Sequence, residues 1–175
     1  GIRPRKRHAG DSGKCSQDGR AVMNYLDVQD LPGVHASPNI QTSPDIYEIE
    51  NQAADPDGLL KKAMWSIAPW QGKVVLDLGA GTGFHLQRFA AAAHVIAVEP
   101  HPPSRLRAMA RVVALALERV SVMTGSAERI LLPDASVDIV HARFAYFFAP
   151  NCAPGLAELA RVIRPGCTAL IIDND

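Results

Sequence analysis

The stretch VVLDLGAGTGFH, residues 74–85, decides the fold. Val74, Val75, Leu76 and Leu78 make a short continuous apolar block, the pattern of a strand covered on both faces in a parallel sheet. Asp77 sits inside that block, and glycines follow at alternate positions, Gly79, Gly81 and Gly83. A residue without Cβ turns sharply and lets a ligand lie against the main chain. Residues 82–92 then restart at helical spacing, so the stretch predicts strand, tight turn and a helix over 83–92. The free N–H groups and partial positive charge of a helix N-terminus would suit an anionic ligand group at this turn.

Outward from the turn, apolar runs predict strands at 73–78, 94–98, 120–124, 136–141 and 168–173, with helices at 103–117 and 153–163. Strands alternating with helices imply right-handed βαβ units, hence a Rossmann-like, doubly wound α/β fold with five parallel strands. In such a sheet ligands bind beyond the carboxyl ends of the strands, where the strand order reverses. Asp77, the glycine turn, Glu99, Ser126, Ala127, Glu128 and His141 all fall at predicted strand ends.

Upstream, residues 44–70 predict one or two helices, with Leu59, Leu60, Met64 and Ile67 on one face and Asp57 placed to cap. Residues 1–44 are rich in Gly, Pro, Ser and charged side chains and predict a disordered tail ahead of a domain at 45–175. The basic start GIRPRKRH reads as a solvated tail, and residues 1–22, which precede Met23, are expected to be sequence upstream of the native segment.

The dinucleotide fingerprint G-x-G-x-x-G requires a third glycine at position 84, which is Phe84, so a nicotinamide-dependent oxidoreductase is disfavoured. The spacing here is G-x-G-x-G after Asp77, and LDLGAGTG resembles the first motif of class I S-adenosylmethionine (SAM)-dependent methyltransferases. The resemblance continues. HVIAVEP (94–100) is similar to the family's second strand, which ends in a ribose-binding acid, here Glu99. VMTGSAERILLPDASVDIVHARFAYFF (122–148) resembles the third strand, adenine-edge loop and fourth strand. ELARVIRPGCTALIID (158–173) is similar to the helix, Pro-Gly turn and fifth strand of the branch that includes quinone-biosynthesis methyltransferases.

The resemblance implies SAM as cofactor. The turn residues Gly79, Ala80, Gly81, Thr82 and Gly83 would approach its methionyl part, with Asp77 near the ammonium. Glu99, followed by Pro100, would accept hydrogen bonds from the ribose diol. Ser126 stands where the family often has an Asp facing adenine, with Ala127 and Glu128 contributing, and His101 and Ile130 flanking the ring. Tyr47 would cover the methionyl end. For an acceptor that must lose a proton, His141 is the candidate base and His85 a weaker one. Phe144, Tyr146, Phe147 and Phe148 suggest an apolar wall for the acceptor, and the Asn/Asp-Pro-Pro-aromatic word of amino-directed DNA methylases is missing. The family's sheet closes with an antiparallel pair of strands, so a chain stopping after the fifth is expected to be truncated.

The 18 basic residues balance the 18 acidic ones, giving no electrostatic reason to expect nucleic acid or an anionic membrane as partner. Cys15, Cys152 and Cys167 form no CxxC pair and suit reduced thiols in a cytoplasmic protein. No apolar run approaches the roughly 18 residues needed to span a bilayer, no secretory leader is visible, and the six histidines lack metal-ligand spacing. Together these readings predict methyl transfer to a small organic acceptor, with a non-catalytic SAM-binding or partner-binding module as the alternative.

Overall fold

The structure, a computed structural model, describes residues 31–35, 44–147 and 149–173. The tail expectation for residues 1–44, Cys15 and Phe148 therefore fall mostly or wholly outside the described residues. Helices α1 (Pro44–Ala54) and α2 (Leu59–Ile67) precede β1 (Val74–Leu78), β2 (His94–Val98), α3 (Pro102–Ala114), β3 (Val120–Met123), β4 (Val137–Arg143), α4 (Ala153–Val162) and β5 (Ile163–Ile172). The five strands form one sheet in the order β3-β2-β1-β4-β5, every pair parallel. The chain runs outward from β1 to β3, then returns to the other side of β1, so the reversal point lies between β1 and β4.

Alternation along each strand splits the core into two faces. Val75, Val95, Ala97, Ile139 and Leu170 pack with Met64, Trp70, Leu86 and Phe89. Leu76, Leu78, Val98, Val140 and Ala142 pack on the opposite side with Ile130, Tyr146 and Val162. No helix of the described residues is long and apolar enough to cross a membrane.

Four local expectations are corrected. The helix over 83–92 is instead a 3₁₀ turn at Leu86–Phe89, in a run of hydrogen bonds between residues three apart. The buried residues there are Leu86, Phe89 and Ala92, spaced by three, and a 3₁₀ turn sets such residues on one face. The cap of α2 is Asp55 and not Asp57: its carboxylate oxygens accept from Leu60 N at 2.9 Å and Lys61 N at 3.1 Å. Of the apolar face expected on α2, Met64 is buried and Leu60 partly so, while Leu59 and Ile67 stand in solvent. The last strand also starts earlier than 168. Ile163 pairs with Val137 and Thr168 with Ile139, the extra residues looping out at Pro165, which has no N–H to donate, and Gly166, at φ 79°.

Candidate functional site

The glycine turn is pinned where it leaves β1, because Gly79 N and Ala80 N both donate to the carbonyl of Val98, at 2.9 and 3.0 Å. Gly79, Gly81 and Gly83 have φ of 72°, 57° and 75°, a region that costs a residue with a Cβ about 1–2 kcal/mol. Packing adds to this at Gly83, where a Cβ would meet Leu86 Cδ1 at 2.8 Å and Ala108 Cβ at 3.0 Å.

Glu99 follows β2 and turns back onto the glycine turn. Its Oε2 accepts from Gly81 N and its Oε1 from His101 N, both at 2.8 Å, in a site where the residue is 4% exposed. Burial pushes the carboxyl up to about 7, against the opposing pull of the two N–H donors and of Arg105. A carboxylate offers roughly four lone-pair positions, so two further donors can be accommodated. Pro100 comes next, its carbonyl accepting from Arg105 at 3.0 Å.

Across the turn, Asp77 and His141 lie side by side in the β1–β4 register, so their side chains share one face of the sheet. Asp77 Oδ1 and His141 Nδ1 are 2.6 Å apart, both residues are buried, and the imidazole packs against the Phe89 ring. His141 Nε2 is buried without a partner. Tyr47, half-buried on α1, has its hydroxyl pKa raised by burial, with Arg143, Asp77 and Glu99 near enough to influence it.

Helix α1 is held over the crevice by polar side chains. Glu48 accepts from the Thr82 hydroxyl and pairs with Arg111 at 2.7 Å, while Asp45 pairs with Arg107 at 2.8 Å. Asn51 Oδ1 accepts from Arg143 Nη1 and lies 2.9 Å from His85 Nε2. None of Glu48, Asn51 and Arg143 was expected at the site. The one available signal was Arg143, a cation two residues past His141 at the end of a buried strand.

Beyond β3, Ser126 is buried with its hydroxyl unpartnered, and its backbone bridges to Arg129. Ala127 packs into the second core face, and Glu128 lies 3.6 Å from His35. Ile130, expected beside adenine, is 2% exposed within the core, and His101 Nδ1 bonds to the Ser104 hydroxyl at 2.9 Å. The expected aromatic wall divides: Tyr146 is core, Phe147 is exposed, and Phe144 stacks with Arg143. Among the described residues no His, Cys, Asp and Glu cluster could hold a metal ion.

Residues 75–166 match the family model described as a methyltransferase domain. The chain belongs to that family, and its sheet and glycine turn are those of the class I, SAM-dependent type. An uncharacterized methyltransferase of Mycobacterium tuberculosis is 39% identical over 57% of this chain and 39% of its own length. A ubiquinone/menaquinone biosynthesis C-methyltransferase of Rubrivivax gelatinosus is 35% identical over 61% and 41%, and a dimethylglycine N-methyltransferase of Parasynechococcus marenigrum 34% over 55% and 35%. The chain thus spans about two fifths of the length of these curated relatives. The crystal structure of a SAM-dependent methyltransferase from Aquifex aeolicus superposes with a TM-score of 0.62 at 27% identity, covering 72% of each chain.

Proposed function

We propose that this domain binds SAM across the carboxyl ends of β1 and β2 and directs methyl transfer to a small organic acceptor. The observation that carries the reading is Glu99, a buried carboxylate fixed by two main-chain N–H groups against a glycine turn, with capacity for two more donors. A ribose diol offers those two donors. The unpartnered Ser126 hydroxyl, buried one strand further along, suits the edge of adenine, with Ala127 and Glu128 beside it. Gly79, Ala80, Gly81, Thr82 and Gly83 leave room for the methionyl part, which Tyr47 covers from α1, and Pro100 lies on the ribose side.

SAM, when bound, supplies an electrophilic methyl group on a sulfonium. The chain's own work is to position the acceptor and exclude water. His141 in this reading orients Asp77 and does not act as the base, because its ring is 1% exposed and so beyond the reach of an acceptor in the crevice. Balanced charge, and relatives named for ubiquinone/menaquinone biosynthesis and for dimethylglycine, support a small acceptor. The free thiols Cys152 and Cys167 suit a cytoplasmic setting.

Calorimetric titration with S-adenosylhomocysteine tests the reading. Micromolar affinity, about −8 kcal/mol, should be lost in Glu99→Ala. Equal affinity in that variant, or a folded chain that binds nothing, overturns it.

A further inference from the structure

Arg143 ends β4 on the far side of the glycine turn from Glu99, half-buried, and neither of its polar partners is an acid. Its Nη1 donates to Asn51 Oδ1 and faces His85 Nε2 at 2.6 Å. A guanidinium nitrogen has only hydrogens to offer and an amide oxygen only lone pairs, so His85 Nε2, 2.9 Å from Asn51 Oδ1, can satisfy one of these two neighbours at a time. Burial above all, then Arg88 and Arg143, pushes His85 down to about 2, which keeps the ring neutral. Both polar partners of the guanidinium are therefore uncharged.

Of the other half-buried arginines, Arg111, Arg161 and Arg164 pair with Glu48, Glu158 and Asp138, while Arg105 donates to the carbonyls of Glu99 and Pro100 and Arg88 lies 4.0 Å from Met64 Sδ. Among the described residues no carboxylate pairs with Arg143. The buried Arg143 Nε–H also lacks an acceptor, although buried donors nearly always find one, and His85 Nδ1 beside it is buried without a partner. The guanidinium is held in place all the same. Phe144 stacks on it with 4.8 Å between guanidinium carbon and ring centroid, and does so at φ 52°, a left-handed conformation that an aromatic residue rarely adopts.

We propose that Arg143 is the carboxylate receptor of this crevice, its planar donors taking up the carboxylate of a bound ligand. The proposal rests on the methyltransferase reading and deepens it, since two carboxylates can reach such a site: the methionyl carboxylate of the cofactor and that of an amino-acid acceptor.

Calorimetry on the 175-residue chain and on Arg143→Gln, with thermal melting as the folding control, separates these sources. A loss of tenfold or more for S-adenosylhomocysteine, with unchanged affinity for 5′-deoxy-5′-methylthioadenosine, which lacks the amino-acid end, assigns the cofactor carboxylate. Unchanged S-adenosylhomocysteine binding, with tenfold weaker N,N-dimethylglycine binding to the loaded chain and unchanged binding of carboxyl-free N,N-dimethylethanolamine, assigns the acceptor. Arg143→Lys keeps the charge without the planar donors and carries the same comparison if the glutamine variant unfolds. Wild-type affinities throughout, or equal losses for S-adenosylhomocysteine and methylthioadenosine, overturn the proposal and leave the methyltransferase reading standing. A folded wild-type chain that binds neither nucleoside removes both.

Discussion

On the β2 side of the crevice the contacts are made by main chain: Gly79 and Ala80 hang from Val98, and Gly81 and His101 hold the Glu99 carboxylate. On the β4 side they are made by side chains brought together from far apart, Asp77 with His141 across 64 residues and Arg143 with Asn51 across 92. The two sides should therefore fail differently. Main-chain recognition depends on φ angles and on the absence of a Cβ, so added bulk breaks it. Side-chain recognition depends on both partners being present, so truncation breaks it.

The largest effect is expected from truncation. His141→Ala removes a buried ring and leaves the Asp77 carboxyl group without its donor, a loss of about 3–5 kcal/mol in urea unfolding. His141→Asn, which can still donate, should recover part of it. Added bulk comes second. Gly83→Ala combines a φ of 75° with contacts of 2.8 and 3.0 Å, and should cost about 2–3 kcal/mol by the same measurement. A Gly83→Ala variant as stable as the parent would show that the turn relaxes freely, and the contrast between the two sides would lose its basis.

The smallest effect is a pH dependence confined to the β2 side. Burial raises Glu99 from its ordinary 4.5 to about 7, so the protonated form is favoured in the fold. The stability this gives is full below pH 4.5 and is lost as pH rises through about 7. Ligand affinity runs the other way, because the ionised carboxylate is the better acceptor for a diol. S-adenosylhomocysteine should bind about tenfold more tightly at pH 8 than at pH 6, and Glu99→Gln should flatten that slope. An identical slope in the variant would place the titrating group elsewhere.

These differences also explain how much of the molecule was legible in its sequence. A buried strand, a turn that needs positive φ and an acid at the next strand end each leave a local mark, so the sheet, the glycine turn and Glu99 could be read directly. The 3₁₀ turn had its mark too, in the spacing by three of Leu86, Phe89 and Ala92, but alanines 90–93 imitate a helix. The Asp77–His141 contact needs the register of two strands, which no local pattern states. Arg143, His85 and Asn51 meet only because α1 folds back over the sheet, and nothing in the spacing of three polar residues at 51, 85 and 143 foretells that.

The register of β1 on β4 has a bearing on folding fidelity. With Asp77 opposite His141, the neighbouring positions on β4 are Val140 and Ala142. A slip of one residue in either direction would set an aliphatic side chain against a buried carboxyl group and turn the imidazole to the other face. Hydrophobic side chains alone discriminate weakly between such alignments, since Val140 and Ala142 are as apolar as their neighbours. The polar pair thus acts as a proofreading contact, one that only the native alignment can satisfy.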